Sequence, residues 1–175
     1  MRASALLFAF GAFSCSDVHV ERFPGVSVIY TTPIEATKNE FDWVNPLYTE
    51  RPLFFPEDGE PATVDCVLVE ISRRVYLDDV VRTMRDLGFR PATLAELRGF
   101  RRRYPAATQR YKIFALGSLR EAPGVLNDRW TTFAPWIYPS EGTIGLNIDS
   151  IDDGWDSREV VYKSGRFLGV VSAAR

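Results

Sequence analysis

The chain has 175 residues, of which 46% are hydrophobic, 25% charged and 13% aromatic, so we expect one domain with a full hydrophobic core. Its 21 basic and 23 acidic residues give a formal net charge of -2, which excludes a general polyanion binder. Two cysteines exclude a disulfide scaffold and a multi-cysteine metal cluster, and the single histidine, His19, excludes a histidine-rich zinc site. Composition therefore narrows the class of protein without naming a reaction.

The N-terminal residues have two interpretations. Arg2, a short apolar run and Cys15 follow one another in the order typical of a lipoprotein signal. The run is too short to span a bilayer, which takes roughly 20 apolar residues, and no transmembrane segment is predicted elsewhere. Residues 1–22 are therefore predicted to be an extension or a lipoprotein-type signal, followed by one domain over residues 23–175. A cytoplasmic location is expected; the alternative is an exported or membrane-anchored lipoprotein with its lipid on Cys15.

Three strands are predicted in the first two thirds of the chain. Residues 26–30, 63–71 and 111–116 are rich in β-branched and aromatic residues. The segment 63–71 is apolar on both faces around Cys66, which is typical of a central strand, and we expect Cys66 to be buried. A short helical turn is predicted at 34–36.

Two full helices are predicted, near residues 77–87 and 93–103. In the first, apolar residues recur at the three- and four-residue spacing of one helical face, and Gly88 can supply the left-handed residue that ends it. The second begins with Thr93-Leu-Ala-Glu96, the capping-box pattern in which a hydroxyl and a carboxylate satisfy backbone N–H groups. We therefore expect Arg90, Thr93 and Glu96 to be structural.

The final third is predicted to form short strands separated by turn-rich loops. The strands are expected at residues 130–138, 143–148, 159–162 and 166–171. Strands, a helix pair and strands again favour a single α+β domain, with two helices packed on a mostly antiparallel sheet.

One segment resembles a known group of proteins. Residues 88–97 give the pattern G-x-R-P-A-T-x-x-E-L, accompanied by FDWVN at 41–45, YP and QR at 104–105 and 109–110, ALGS at 115–118 and RFLGV at 166–170. Together these segments resemble an uncharacterised paralogous family of small bacterial proteins, over roughly residues 26 to 171. No activity is established for that family, so the resemblance implies architecture rather than chemistry.

The order of the elements also resembles the C-type-lectin-like fold. The resemblance rests on a helix, a second helix that begins with G-x-R-x-A-T-x-x-E, and a closing F-L-x-V strand. It implies a scaffold that presents loops to a ligand, and members of that fold include calcium-dependent sugar binders. The chain lacks the paired disulfides of animal lectins, the Trp-Asn-Asp calcium signature and the reactive cysteine pair of formylglycine-generating enzymes. Fold alone therefore does not transfer a function.

Two charged clusters are candidate sites. The aspartates Asp149, Asp152, Asp153 and Asp156 could supply several of the about six to eight oxygen ligands of calcium, although the EF-hand spacing is absent. The alternative is a polar hairpin connection, and no other cofactor is expected.

The basic residues Arg98, Arg101, Arg102 and Arg103 could bind phosphates. The preferred interpretation is a solvated helix face near the negative end of the helix, and no nucleic-acid partner is expected.

The function predicted from these observations is a non-enzymatic binding module for an unknown protein or small-molecule ligand. Its loops, roughly residues 119–165, carry the candidate ligand-binding residues Arg129, Trp130 and Trp155, whereas Phe133 and Phe167 are expected in the core. No catalytic residue is assigned. The alternatives are a metal-dependent enzyme that uses the four aspartates, and a structural or assembly subunit.

Overall fold

The structure is a computed structural model that describes residues 17–32, 34–47, 59–72, 75–123, 130–150, 159–160 and 165–171. Its strands are β1 (Val18–Val28), β2 (Trp43–Val44), β3 (Ala62–Ile71), β4 (Val75–Tyr76), β5 (Phe89–Pro91), β6 (Lys112–Phe114), β7 (Arg120–Pro123), β8 (Trp130–Ser140), β9 (Thr143–Ser150), β10 (Glu159–Val160) and β11 (Gly165–Val171). Its helices are α1 (Ile34–Lys38), α2 (Leu77–Asp86), α3 (Leu94–Arg103) and α4 (Pro105–Thr108), and a 3-10 turn spans Leu116–Ser118.

The helices confirm the predicted α+β class and correct the predicted helix count. α2 and α3 lie where two helices were predicted, but the described residues contain four helices. α1 extends the predicted turn. α4 begins at Pro105, two residues after the end of α3. Proline lacks the N–H that a helix interior needs, yet its fixed φ suits a first helical turn, so it separates α3 from a new helix.

Nine strands of the described part form one sheet. Their order is β1-β3-β11-β6-β8-β9-β2, with β5 also paired to β11 and β7 to β8, while β4 and β10 form a separate pair. The pairs β11–β6 and β2–β9 are parallel and the others are antiparallel. The prediction of a mostly antiparallel sheet is therefore confirmed.

Strand β3 is interior, as predicted, but it lies one strand from the edge, and β6 occupies the middle of the order. The edge strand β1, which pairs with β3, begins at Val18. Residues 18–22, which were assigned to the extension, therefore belong to this strand, whose predicted start was residue 26. Alternate residues of β3 enter different cores: Cys66 and Leu68 lie on one face of the sheet, and Val67 and Val69 on the other.

Each face of the sheet is covered by one of the two long helices. The first core contains Leu97 and Phe100 of α3 together with residues of β1, β3, β8 and β9. The second core contains Leu77, Val80 and Met84 of α2, packed with Val67 and Phe114. Phe133 and Phe167 are both buried, as predicted.

The segment that joins these helices begins at Gly88, where φ is +82°. This left-handed conformation favours glycine, and it turns the chain from the end of α2 into β5, as the sequence predicted. No helix in the described part of the chain is long and apolar enough to cross a membrane.

Candidate functional site

Five of the seven residues predicted to bind a ligand or a metal lie outside the described residues. These are Arg129, Asp152, Asp153, Trp155 and Asp156, and Cys15, the alternative site of a lipid, lies outside them as well. Of the remaining two, Trp130 begins β8 opposite Pro123, and Asp149 lies on β9 opposite Ala134. Ala134, the residue opposite Asp149, is four positions after Trp130, which is roughly 13 Å along β8 at about 3.3 Å per residue. Trp130 and Asp149 are therefore not neighbours in the sheet.

The described residues contain no group of three or more His, Cys, Asp or Glu side chains that could hold a metal ion. Asn147, which precedes the candidate aspartates, has a structural contact instead. Its Oδ1 accepts hydrogen bonds from Nδ2 of Asn45 at 2.6 Å and from the backbone N–H of Ile148 at 2.9 Å. The amide therefore ties β9 to the residue that follows β2.

The residues of the G-x-R-P-A-T-x-x-E-L pattern form a hydrogen-bond network around the buried Glu96 at the start of α3. Thr93 and Glu96 form the predicted capping box, in which Glu96 Oε2 accepts from the Thr93 N–H at 2.8 Å and Thr93 Oγ1 accepts from the Glu96 N–H at 3.4 Å. Glu96 also accepts two hydrogen bonds from the Arg90 guanidinium and one from the Tyr30 hydroxyl. The pattern is therefore structural, as expected.

Electrostatics fix the protonation of this network near neutral pH. Burial alone would raise the pKa of Glu96, but hydrogen bonds from Arg90 and from the Thr93 backbone outweigh it and hold the pKa below its usual value. Burial and the neighbouring Glu96 carboxylate raise the pKa of Tyr30 to about 12. The same two causes raise the pKa of Cys66 to about 12. Glu96 remains an ionised acceptor and Tyr30 a neutral donor, so neither is suited to proton transfer near pH 7.

The ALGS segment supports the same helix start from the other side. Ser118 Oγ accepts from the backbone N–H of Leu94 at 2.8 Å, and the N–H of Gly117 donates to the carbonyl of Ala92 at 2.8 Å. The N–H of Ala92 in turn donates to the carbonyl of Leu168 in β11. Three separated segments, 88–97, 115–118 and 166–170, therefore meet at one point of the fold.

The basic residues of α3 form only part of the solvated face that was predicted, because Arg102 and Arg103 are exposed whereas Arg98 is buried. Arg98 is buried and donates to both carboxylate oxygens of Glu40, at 2.8 and 2.9 Å, and Arg102 donates to the same carboxylate at 2.9 Å. Burial raises the pKa of Glu40, but its hydrogen bonds with Arg98 and its attraction to both guanidinium groups hold the pKa below its usual value. Their shared partner, Glu40, follows α1 and lies 58 positions before Arg98 and 62 positions before Arg102. A helix pattern alone does not reveal a partner so far away in the sequence.

The FDWVN segment contains the edge strand β2 and binds to β9 on both sides of it. Asp42 Oδ2 accepts from the Ile144 N–H at 2.7 Å, and the Asp42 N–H donates to the Ile144 carbonyl at 3.1 Å. Farther along, the Asn45 N–H donates to the Leu146 carbonyl at 2.9 Å. Between these contacts Trp43 and Val44 pair with β9 in parallel. This pairing leaves the Trp43 side chain 44% exposed.

An aromatic strip crosses the second face of the sheet and ends at Trp43. Its members, in spatial order, are Phe167, Phe114, Trp136, Tyr138 and Trp43, with successive ring centroids 5.9, 5.5, 5.1 and 6.3 Å apart. The first three are buried, Tyr138 is half-buried and Trp43 is exposed. The ammonium of Lys112 lies 4.7 Å from the centre of the Trp136 ring. The strip therefore runs from the core to the surface at Trp43, and Lys112 contacts its buried member Trp136.

The outer half of the strip depends on Gly145. Tyr138 and Trp43 pair with this residue from opposite sides, and the Tyr138 ring lies across it. A Cβ atom at position 145 would be 2.6 Å from the ring. Glycine therefore makes room for the ring beside Trp43.

This exposed aromatic surface is the candidate functional site, and the sequence interpretation missed it. Trp136 and Tyr138 alternate along β8, a signal that places them on one face, but no local pattern joins them to Trp43. Comparisons of the chain with protein-family models, with curated proteins and with solved structures find no match.

Proposed function

We propose that the chain is a non-enzymatic binding module that recognises a ligand or partner protein through the exposed end of the aromatic strip and the loops of its C-terminal third. The observation that carries this proposal is Trp43, a large aromatic residue that is 44% exposed while its neighbours anchor it to the core. Tryptophan and tyrosine are enriched in recognition surfaces because they offer rigid contact area at low entropic cost.

The environment of the family pattern supports a scaffold role for the rest of the fold. Glu96, Arg90 and Thr93 bind one another, and Arg98 binds Glu40, so these groups hold elements together. Recognition residues on a rigid scaffold are a common division of labour. The two long helices, the mostly antiparallel sheet and the closing strand β11 support the further proposal that this scaffold has C-type-lectin-like character.

In the same proposal Arg129, Trp130 and Trp155 contribute to ligand binding. Trp130 begins the strand that holds Trp136 and Tyr138, so this candidate and the aromatic strip share β8. In this proposal the strip supplies flat apolar contact and the loops supply the contacts that select the ligand.

Arrays of immobilised glycans and peptides test the proposal. The wild-type chain should bind a subset of array features, and Trp43→Ala should weaken that binding at least about tenfold, as truncation of a central aromatic contact does. Tyr76→Ala is the matched control, because Tyr76 is 52% exposed and is not part of the strip.

A second pair of variants tests the loops. Trp130→Ala and Trp155→Ala should each reduce binding to the same features. The proposal is contradicted by an array on which the wild-type chain binds nothing, or on which Trp43→Ala and Tyr76→Ala behave alike.

A further inference from the structure

A groove lies on the other side of the β2–β9 edge from the aromatic strip. It is lined by Arg101 and Arg102 of α3, Thr108 and Gln109 at the end of α4, Asp42, and Gly142 of the β8–β9 turn, and its volume is about 290 Å³. A water molecule in the liquid occupies about 30 Å³, so the groove has room for a small organic ion. Asp42 and Ile144 line the groove, whereas the next residues along each strand, Trp43 and Gly145, lie on the side of the aromatic strip. Because successive residues of a strand face opposite sides, the groove and the strip lie on opposite faces of the sheet.

Arg101 is held in this groove by an aromatic ring and an ion pair, without a hydrogen bond from its guanidinium to any described residue. Its guanidinium carbon lies 4.5 Å from the centre of the Phe41 ring, and its nearest carboxylate oxygen, Oδ2 of Asp42, is 3.8 Å away. That separation is an ion pair but is longer than a hydrogen bond. Among the described residues no group accepts a hydrogen bond from this guanidinium, which has five N–H donors. Burial lowers the pKa of Arg101, against the opposing influence of Asp42 and Glu40.

Among the described residues, the ion pairs beside the groove hold more positive than negative charge. Arg98, Arg101 and Arg102 pair with two carboxylates, those of Glu40 and Asp42, which is an excess of one positive charge. The C-terminal end of α3 contributes roughly half a negative charge, so the excess persists. Arg102 donates one N–H to Glu40 and is 39% exposed, which leaves other N–H groups of its guanidinium for a ligand.

We infer that this groove binds a small oxyanion, a carboxylate or phosphate group, between the guanidinium groups of Arg101 and Arg102. Guanidinium donors match the two oxygens of a carboxylate or a phosphate in a bidentate arrangement, and the contact with the Phe41 ring holds the Arg101 guanidinium beside the groove. The inference goes beyond the proposed function, since it concerns a different surface and a different chemistry of recognition.

Calorimetric titration of the full chain with two probes, inorganic phosphate and succinate, tests the inference at constant ionic strength set with sodium chloride. Saturable binding of either probe is expected, and the probe that binds more tightly identifies which oxyanion the site prefers. Arg101→Gln should weaken that binding at least about tenfold, because a charge-assisted bidentate contact is lost. Arg103→Gln is the matched control: it makes the same change in net charge at an exposed position of α3 that does not line the groove.

Asp42→Asn tests the same site with the opposite sign. It removes the carboxylate that competes for Arg101, so it should tighten binding severalfold, an effect that damage to the fold does not produce. This variant also keeps the inference testable if Arg101→Gln does not fold. The inference is overturned if neither probe binds saturably to the wild-type chain, if Arg101→Gln and Arg103→Gln weaken binding equally, or if Asp42→Asn leaves affinity unchanged or lowers it.

Discussion

Glu96 is the side chain on which the contacts at the start of α3 converge. It is fully buried, and it accepts hydrogen bonds from the Thr93 backbone, the Arg90 guanidinium and the Tyr30 hydroxyl. A buried carboxylate is tolerated only when such partners replace its lost hydration. The same residue therefore caps a helix and joins it to β5 and to the residues that follow β1.

Replacement of this carboxylate tests the network through pH. Glu96→Gln should lower the free energy of unfolding at pH 7 by about 2 kcal/mol, below the usual cost of breaking a buried pair because Arg90 is partly exposed. The pKa of Glu96 is lower in the folded chain than its ordinary value of 4.5, so its stabilisation is complete above about pH 4.5 and declines as pH falls through the folded pKa. The wild-type and variant stabilities should therefore converge in acid, as urea unfolding at a series of pH values would measure.

The control for that experiment is Glu60→Gln, at an exposed position just before β3, which should change stability by less than about 0.5 kcal/mol. A stability difference between wild type and Glu96→Gln that stayed constant from pH 7 to pH 3 would contradict the role assigned to the carboxylate.

Thr93 contributes the other half of the capping box. Thr93→Ala should lower the free energy of unfolding by about 1 kcal/mol through the lost cap, since the Oγ1 acceptor bond to the Glu96 N–H disappears. Thr63→Ala, at an exposed position of β3, is the comparison, and thermal denaturation is the measurement. Equal melting temperatures for the two variants would show that the carboxylate alone maintains the helix start.

At the scale of elements, local signals and long-range pairing differ in how far the sequence predicts them. α2 and α3 were located from their spacing and caps because those signals lie within one stretch of chain. β2 was not predicted as a strand, since its two residues pair with β9 about a hundred positions away. The burial of Arg98 was missed for the same reason, because its partner, Glu40, lies 58 positions earlier in the chain.

The arrangement of β8, β9 and β2 yields a prediction about packing. Gly145→Ala should destabilise the chain by about 1 to 3 kcal/mol, because the new methyl group would overlap the Tyr138 ring. In a Tyr138→Ala background the same change should be nearly neutral, because the overlapping ring is absent. The coupling energy from this double-mutant cycle, measured by urea unfolding, isolates the contact. A Gly145→Ala cost that is equal in both backgrounds would mean that the backbone, and not the ring, requires glycine.

At the scale of the whole molecule, one sheet separates two cores that different helices cover. β3 takes part in both, with Cys66 and Leu68 on one face and Val67 and Val69 on the other. Such a strand cannot detach from one neighbour without exposing apolar surface on both faces of the sheet. We therefore expect β3 to open only when the whole domain unfolds.

Cys66 reports on that global opening. Its thiol is buried in β3 between β1 and β11, and burial with the Glu96 carboxylate raises its pKa to about 12, so little thiolate forms at pH 8. In a Cys15→Ser variant Cys66 is the only thiol, because the chain has two cysteines. Labelling of this variant by a disulfide reagent should be at least about a thousandfold slower in native buffer than in denaturant, as a domain stability of 5 kcal/mol or more requires. The rate should rise with urea in parallel with unfolding followed by circular dichroism. Rapid, complete labelling of a chain that keeps its native spectrum would show that β3 opens locally and that the two cores are not one cooperative unit.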